Sequence, residues 1–242
     1  MVIGHNEWLV ATSASAGPAL EGASVDCGMR AERGAVERVF AEEGAIRYRT
    51  IDDAPPKGIC GSGIIDFVGV LLREGYISRS GRFVPDRSPR IVEVDGVRRY
   101  ILAPEGEAAG RPVYITESDI ENIITAKAAI FAAMKILVRR LELHFRDIQR
   151  FYIGGAFGRY IDVENAISIG LIPEIPRNRI QFVGNTSIQG AKIVAFYKEA
   201  LRKIEHIRES TTYYDLMGAE DYIEEFRKAM FLPHTDIEDF HG

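Results

Sequence analysis

The sequence predicts an α/β fold in which a mixed sheet is flanked by helices, and three observations lead there. The first part is rich in short β-like runs. From Ser118 onward the order becomes helix, strand, helix, strand, helix. Glycine-rich turns follow several of the strands, where an open α/β sheet binds its ligands.

Taken in order, "MVIGHNEWLVATS" reads as strand, a His5–Asn6 turn and strand. Ser13–Val25 is too rich in small residues for a core strand. It reads as a loop entering a short helix, with Pro18 near the start, where its missing N–H costs nothing. "GAVERVFAEEGAIRYRTI" holds two β-like runs broken at Glu43-Gly44, a hairpin signature. "PPKGICGSGIIDFVGVLLREGYI" is a glycine-rich turn running into a helix. Ile64, Ile65, Val68, Leu71 and Leu72 recur at helical spacing there, and Gly75 ends it. Residues from about 80 to 112, with "RIVEVDG" and "RRYILA", read as an exposed β-hairpin insertion within one domain spanning 1–242. "SDIE" (Ser118–Glu121) has the form of a capping box, and an apolar face continues from Ile120 to Leu141. The strand "RFYIGG", a short helix at "DVENAISIG", the strand "RIQFVG" and a long helix from about Ser187 follow. "AEDYIEEFRKAMF" is a last amphipathic helix, before "LPHTDIEDFHG".

The chain has 242 residues, enough for a well-buried core, and its 46% apolar and 27% charged residues are those of a globular protein. A net charge of −5 gives no electrostatic reason to expect nucleic acid as a partner. Arg98-Arg99 and Arg139-Arg140 read as solvated faces. No apolar run approaches the roughly 20 residues that span a bilayer, and no basic-then-apolar leader is visible. A cytoplasmic location is the expectation. The two cysteines, Cys27 and Cys60, are too few for a four-thiolate cluster or zinc site within one chain. They read as buried or loop thiols, the alternative being a cluster shared across a dimer.

Four small-residue loops stand out: "SASAG", "GICGSG", "GGAFG" and "GNTSIQGA". The last two follow predicted strands, where backbone amides can approach an anionic or flat ligand. Each could equally be a structural turn. "GICGSG" matches neither the lysine-bearing phosphate loop nor the dinucleotide fingerprint. Catalytic constellations are thin. The histidines, His5, His144, His206, His234 and His241, show no ligand spacing with a carboxylate, and only His234 sits in a turn that invites a role. Asp66 reads as a dipole or cap residue, or as one that orients a ligand. Lys127 reads as a lysine snorkelling at the edge of an apolar helix face, with ligand contact as the alternative. No catalytic residue and no metal ligand is assigned.

Together, "SASAGPALEGASVDCGMRAERGAVERV", "GICGSGIIDFVGVLLREGYI", "SDIENIITAKAAIFAAMKIL", "YIGGAFGRYIDVENAISIGLIP", "GNTSIQGA" and "FLPHTD" resemble the C-terminal part of the ATP-dependent reductive activators of corrinoid proteins. The resemblance runs in order over nearly the whole chain. It implies an actin-like ATPase module of the ASKHA group with a ribonuclease-H-like subdomain. In that family ATP hydrolysis accompanies delivery of a low-potential electron to a Co(II) corrinoid, which regenerates Co(I) for methyl transfer. It also implies that "GGAFG" (Gly154, Gly155, Ala156, Phe157, Gly158) is the adenosine-binding loop, with Gly184 and Asn185 in the neighbouring segment. The helix carrying Lys127 would pass beside the adenosine.

Departures bound that resemblance. Intact members carry an N-terminal iron–sulfur domain and two Asp-Gly-Thr-type loops for phosphates and Mg²⁺. Neither is legible here, so the sequence reads as one part of such an activator. ATP and Mg²⁺ are expected in the intact protein, with weak or absent binding and little ATPase activity in this part alone. A [2Fe–2S] cluster is expected only in the N-terminal domain. A corrinoid protein is the expected partner, and a homodimer the expected assembly. The competing readings are a non-catalytic dimerisation or docking module and another ATPase of the group, such as an acyl-CoA dehydratase activator.

Overall fold

The computed structural model describes residues 1–5, 8–155 and 160–240. Two antiparallel strands, β1 (Val2–His5) and β2 (Trp8–Ala11), open the chain on either side of the predicted turn, whose Asn6 lies outside the described residues. The hairpin of β3 (Ala35–Glu42) and β4 (Ala45–Thr50) turns at Glu43 and Gly44, both at positive φ, as that turn geometry requires. β5 (Gly58–Ile59) pairs parallel to β3 and leads into α1 (Gly61–Arg73). The predicted exposed hairpin forms from β6 (Ile91–Val94) and β7 (Val97–Ala103), extended by β8 (Val113–Thr116) into a three-stranded antiparallel sheet, but it is not peripheral, because Tyr100, Leu102, Val113 and Ile115 are buried in the main core.

α2 (Glu117–Arg140) starts two residues earlier than "SDIE" suggests. Its cap is Thr116, whose hydroxyl accepts from the Asp119 amide at 3.0 Å. The Asp119 carboxylate accepts from the Thr116 amide at 2.9 Å. The overlapping signal at Ser118–Glu121 loses because Asp119 is also tied to the backbone amide of Asp26, at 2.9 Å. After α2 come β9 (Phe151–Gly154), α3 (Val163–Ser168) and β10 (Ile180–Gly184), with β9 and β10 parallel. The single long helix expected from about Ser187 is two, α4 (Thr186–Phe196) and α5 (Glu199–Glu209), interrupted at Tyr197-Lys198. β11 (Thr211–Tyr213) pairs parallel to β2, and α6 (Glu220–Ala229) packs on α2.

The pairing is mixed, as the sequence predicts, but among the described residues it is distributed over four small sheets rather than one. The main core lies where α1 meets β3, α3 and the first turns of α2, around Phe67, Tyr100, Ile64 and Ile120. A second cluster builds on Phe131, against Phe145, Phe240 and the ring of His234. Burial of this much apolar side chain is the dominant stabilising contribution. Among the described residues no helix is long and apolar enough to cross a membrane.

Candidate nucleotide site

The parallel pair β9–β10 brings two of the glycine motifs to one place. Gly154 stands opposite Gly184 across an irregularity in the register, and the Gly155 amide donates to the Gly184 carbonyl at 2.7 Å. Gly155 (φ +95°) and Gly184 (φ +65°) lie in the left-handed region that L side chains rarely adopt. A Cβ built at either would meet nothing within 4 Å. These glycines are therefore required by backbone conformation, and the space beside them is open. Asn185 then caps α4, its side-chain oxygen accepting from the Ile188 amide at 3.1 Å. Two bare strand ends and a capped helix start form a surface that a flat polar ligand can approach closely. Of the predicted site residues, Gly154, Gly155, Gly184 and Asn185 converge here. Ala156, Phe157 and Gly158 lie outside the described residues.

Lys127 does not snorkel. It is fully buried, and its ammonium donates to the carbonyls of Phe231, at 2.5 Å, and Pro233, at 2.6 Å. Burial, with the Arg79 charge nearby, lowers its pKa to about 7. A buried amine already engaged with two carbonyls of the C-terminal segment is not a ligand contact in this arrangement. The same segment is gripped by Arg79, which donates to the Leu232 carbonyl at 3.0 Å and also to that of His234.

His234 is likewise a buried residue. Its Nε2 lies 3.1 Å from the Glu225 carboxylate, without hydrogen-bond alignment, and its Nδ1 lies 2.7 Å from the Asp236 carbonyl oxygen and 3.1 Å from the Asp236 amide. Burial alone would raise the Glu225 pKa. Contact with His234 and the charges of Lys135 and Arg139 outweigh it and hold the carboxyl below its usual range. "GICGSG" is not an open ligand loop, because Gly61 and Gly63 are buried and a Cβ at Gly63 would lie 2.2 Å from the Val36 carbonyl oxygen. Gly63 lets α1 press against β3, and Gly58 lets the chain pass close to the Cys27 carbonyl. Cys27 and Cys60 are free and buried, and burial pushes the Cys27 thiol up.

Sequence reasoning misses one constellation altogether. Asp66 is neither a cap nor an exposed carboxylate. It is fully buried and accepts from Arg38 Nε at 2.8 Å, from the Val39 amide at 3.2 Å and from Asn165 Nδ2 at 2.8 Å. Burial pushes its carboxyl up, against the pull of Asn165, Arg38 and the Val39 amide. Among the described residues no group of three or more His, Cys, Asp or Glu side chains could hold a metal ion.

A bare pair of strand ends beside a capped helix, on mixed sheets flanked by helices, is the setting in which a family match becomes informative. The family described as the C-terminal domain of RACo, the ASKHA domain, matches residues 1–242. The chain belongs to that family. It is 34% identical over 235 residues to the corrinoid activation enzyme RamQ of Eubacterium limosum, covering 93% of this chain and 40% of that protein. It is 29% identical over 224 residues to the [Co(II) methylated amine-specific corrinoid protein] reductase of Methanosarcina barkeri, covering 90% and 41%. A solved reductive activator for a corrinoid, iron–sulfur protein superposes with a TM-score of 0.92 at 40% identity, over 99% of this chain and 39% of that one. The chain thus spans about two fifths of the relatives it matches, and its fold is that of the RACo ASKHA domain.

Proposed function

We propose that this chain is the adenosine-binding part of an ATP-dependent reductive activator that returns Co(II) corrinoid proteins to Co(I). The observation that carries the reading is the meeting of Gly155 and Gly184 at the ends of two parallel strands, in a chain matched end to end by the RACo ASKHA domain. In this reading Gly154, Gly155, Gly184 and Asn185 receive the base and ribose, together with Ala156, Phe157 and Gly158. When bound, ATP supplies the free energy that accompanies electron delivery, and Mg²⁺ neutralises its phosphates. Neither Asp-Gly-Thr-type phosphate loop is legible in this sequence. The proposal therefore assigns phosphate and metal contacts to other parts of the activator and expects little ATPase activity from this chain alone. It also includes a cytoplasmic setting with reduced cysteines, a corrinoid protein as partner, a homodimeric assembly, and an iron–sulfur cluster in another domain.

Calorimetric titration with ATP and ADP in Mg²⁺, beside a Gly155→Val variant, tests the placement. Weak binding by the native chain, lost in the variant, is the expected result. The added side chain cannot adopt the +95° backbone without strain. No binding at millimolar nucleotide would leave the family membership standing and move the reading of this chain to a dimerisation or docking module. One observation favours the second reading, a docking module: Ile188, Ile193, Phe196 and Tyr197 of the α4 region, with Leu201 and Ile204 of α5, are all exposed. Capture of a corrinoid protein that does not depend on nucleotide would support that reading instead.

A further inference from the structure

The buried carboxylate of Asp66 belongs to a closed ring. Arg38 donates Nε to Asp66 at 2.8 Å and Nη2 to Asp162 at 2.7 Å. The other oxygen of Asp162 accepts from the Asn165 backbone amide at 3.0 Å, which starts α3. The Asn165 side chain closes the ring on Asp66 at 2.8 Å, and its own oxygen accepts from Arg73 at 3.0 Å. Three elements, β3, α1 and α3, are thereby joined through polar groups. The fit is close: a Cβ at Gly69 of α1 would stand 3.0 Å from the Asn165 side chain.

Such a ring is a poor device for stability alone. Taking a charge out of water costs free energy that ion pairing only partly returns, and apolar packing of similar volume often does as well. What a ring of directional bonds adds is orientation. Here the oriented residue is Asp162, on the chain that follows the glycine stretch after β9. On the near side, Gly155 is tied to Gly184. On the far side, Asp162 is tied to Arg38.

We propose that Arg38, Asp66, Asp162 and Asn165 are positioning residues of the nucleotide site, setting the chain at Asp162 and α3 in register with the strand ends at Gly155 and Gly184. This rests on the reading that adenosine binds at those strand ends. None of the four touches the ligand in this assignment. Arg38 holds Asp162, and Asp66 in turn holds Arg38 and Asn165.

Arg38→Gln and Asp162→Asn test it, singly and together, with Arg38→Lys as the conservative variant. Asparagine still caps a helix, so Asp162→Asn is built to leave the fold standing, whereas Arg38→Gln strips the ion pair from the buried Asp66 carboxylate. Two quantities are read on the whole chain: amide hydrogen exchange over residues 160–168, and the dissociation constant for ADP. In either single variant, exchange over 160–168 is expected to quicken and ADP binding to weaken about five- to tenfold; the thermal midpoint stays near that of the native chain in Asp162→Asn and falls in Arg38→Gln, where Asp66 loses its ion pair. The double variant should be no worse than the singles, because the two residues form one contact. Arg38→Lys should recover part of the affinity. Exchange unchanged over 160–168 would overturn the proposal, as would faster exchange with ADP affinity intact. A loss of affinity in Asp162→Asn matched by a general fall in thermal stability would assign the ring to folding instead, and also overturn it. Native chain that fails to bind ADP would overturn the adenosine reading and the positioning role with it. That failure is distinguishable, because it is visible before any variant is made.

Discussion

α1 and α4 begin alike and end up opposite. Each follows a short strand after a single intervening residue, Cys60 or Asn185, and each carries glycine inside. α1 buries eleven of its thirteen residues, whereas α4 buries none of its eleven. The glycine of α1 at position 63 is a contact surface, pressed to the Val36 carbonyl, while Gly190 of α4 faces open space. Identical local grammar therefore serves two ends. Where the following residues are apolar on all sides, glycine permits close packing against the sheet. Where the strand ends stay open, glycine leaves room for something else. α1 is scaffold, and α4 borders the candidate site.

The comparison breaks most visibly at the aromatic residues. Phe67→Ala, buried in α1 against Tyr100, should cost about 3–5 kcal/mol in denaturant unfolding. Phe196→Ala, on a side chain 81% exposed, should stay within about 0.5 kcal/mol. Equal losses would mean that α4 packs far more than its exposure shows.

Lys127 sharpens the contrast through pH. Its pKa is about 7 when folded and 10.5 ordinarily, so between those values the unfolded chain binds the extra proton. Stability then rises with pH from about 7 toward 9, by at most about 1.4 kcal/mol per unit for one proton. It is lost as pH falls through 7. The buried Cys27 thiol, held up by burial, acts oppositely above about pH 9, since the unfolded thiol ionises first. Unfolding titrations from pH 6.5 to 8.5 should show the rise in the native chain and none of the Lys127 contribution in Lys127→Met. A flat native profile would mean that the ammonium keeps its proton when buried.

The smallest test uses the two glycines themselves. Gly63→Ala should destabilise by about 1–3 kcal/mol through overpacking against Val36. Gly190→Ala should stabilise by about 0.5–1 kcal/mol, because a helix-interior glycine gains propensity and meets no obstacle. The same sign at both positions would erase the distinction between the two helices.

Much of the fold was legible because its signals are local. The Glu43-Gly44 hairpin, the apolar spacing of Ile64 to Leu72 and the short helix at "DVENAISIG" all stand in the structure as the residues suggest. The failures share a cause, which is that contacts distant in the chain decide them. Two overlapping capping signals lie at 116–121, and a bond from Asp26 helps select the earlier one. Lys127 looks like the rim of an apolar face until residues 231–233 close over it. In the site, the strand-end glycines could be read from their place after "RFYIGG" and "RIQFVG". The ring could not, since Arg38, Asp66, Asp162 and Asn165 share no motif or spacing.

One further consequence concerns the only tryptophan. Trp8 lies on β2, 54% exposed, and its indole N–H donates to the Thr212 hydroxyl of β11 at 2.9 Å. β11 is the strand that follows α5 and ties it back to the first sheet. Tryptophan emission therefore serves as an optical gauge of how that outer limb is moored, and it is poorly placed to register melting around Phe67 or Phe131. An emission change that precedes loss of the near-ultraviolet tyrosine and phenylalanine signal would time the release of the limb before the scaffold gives way.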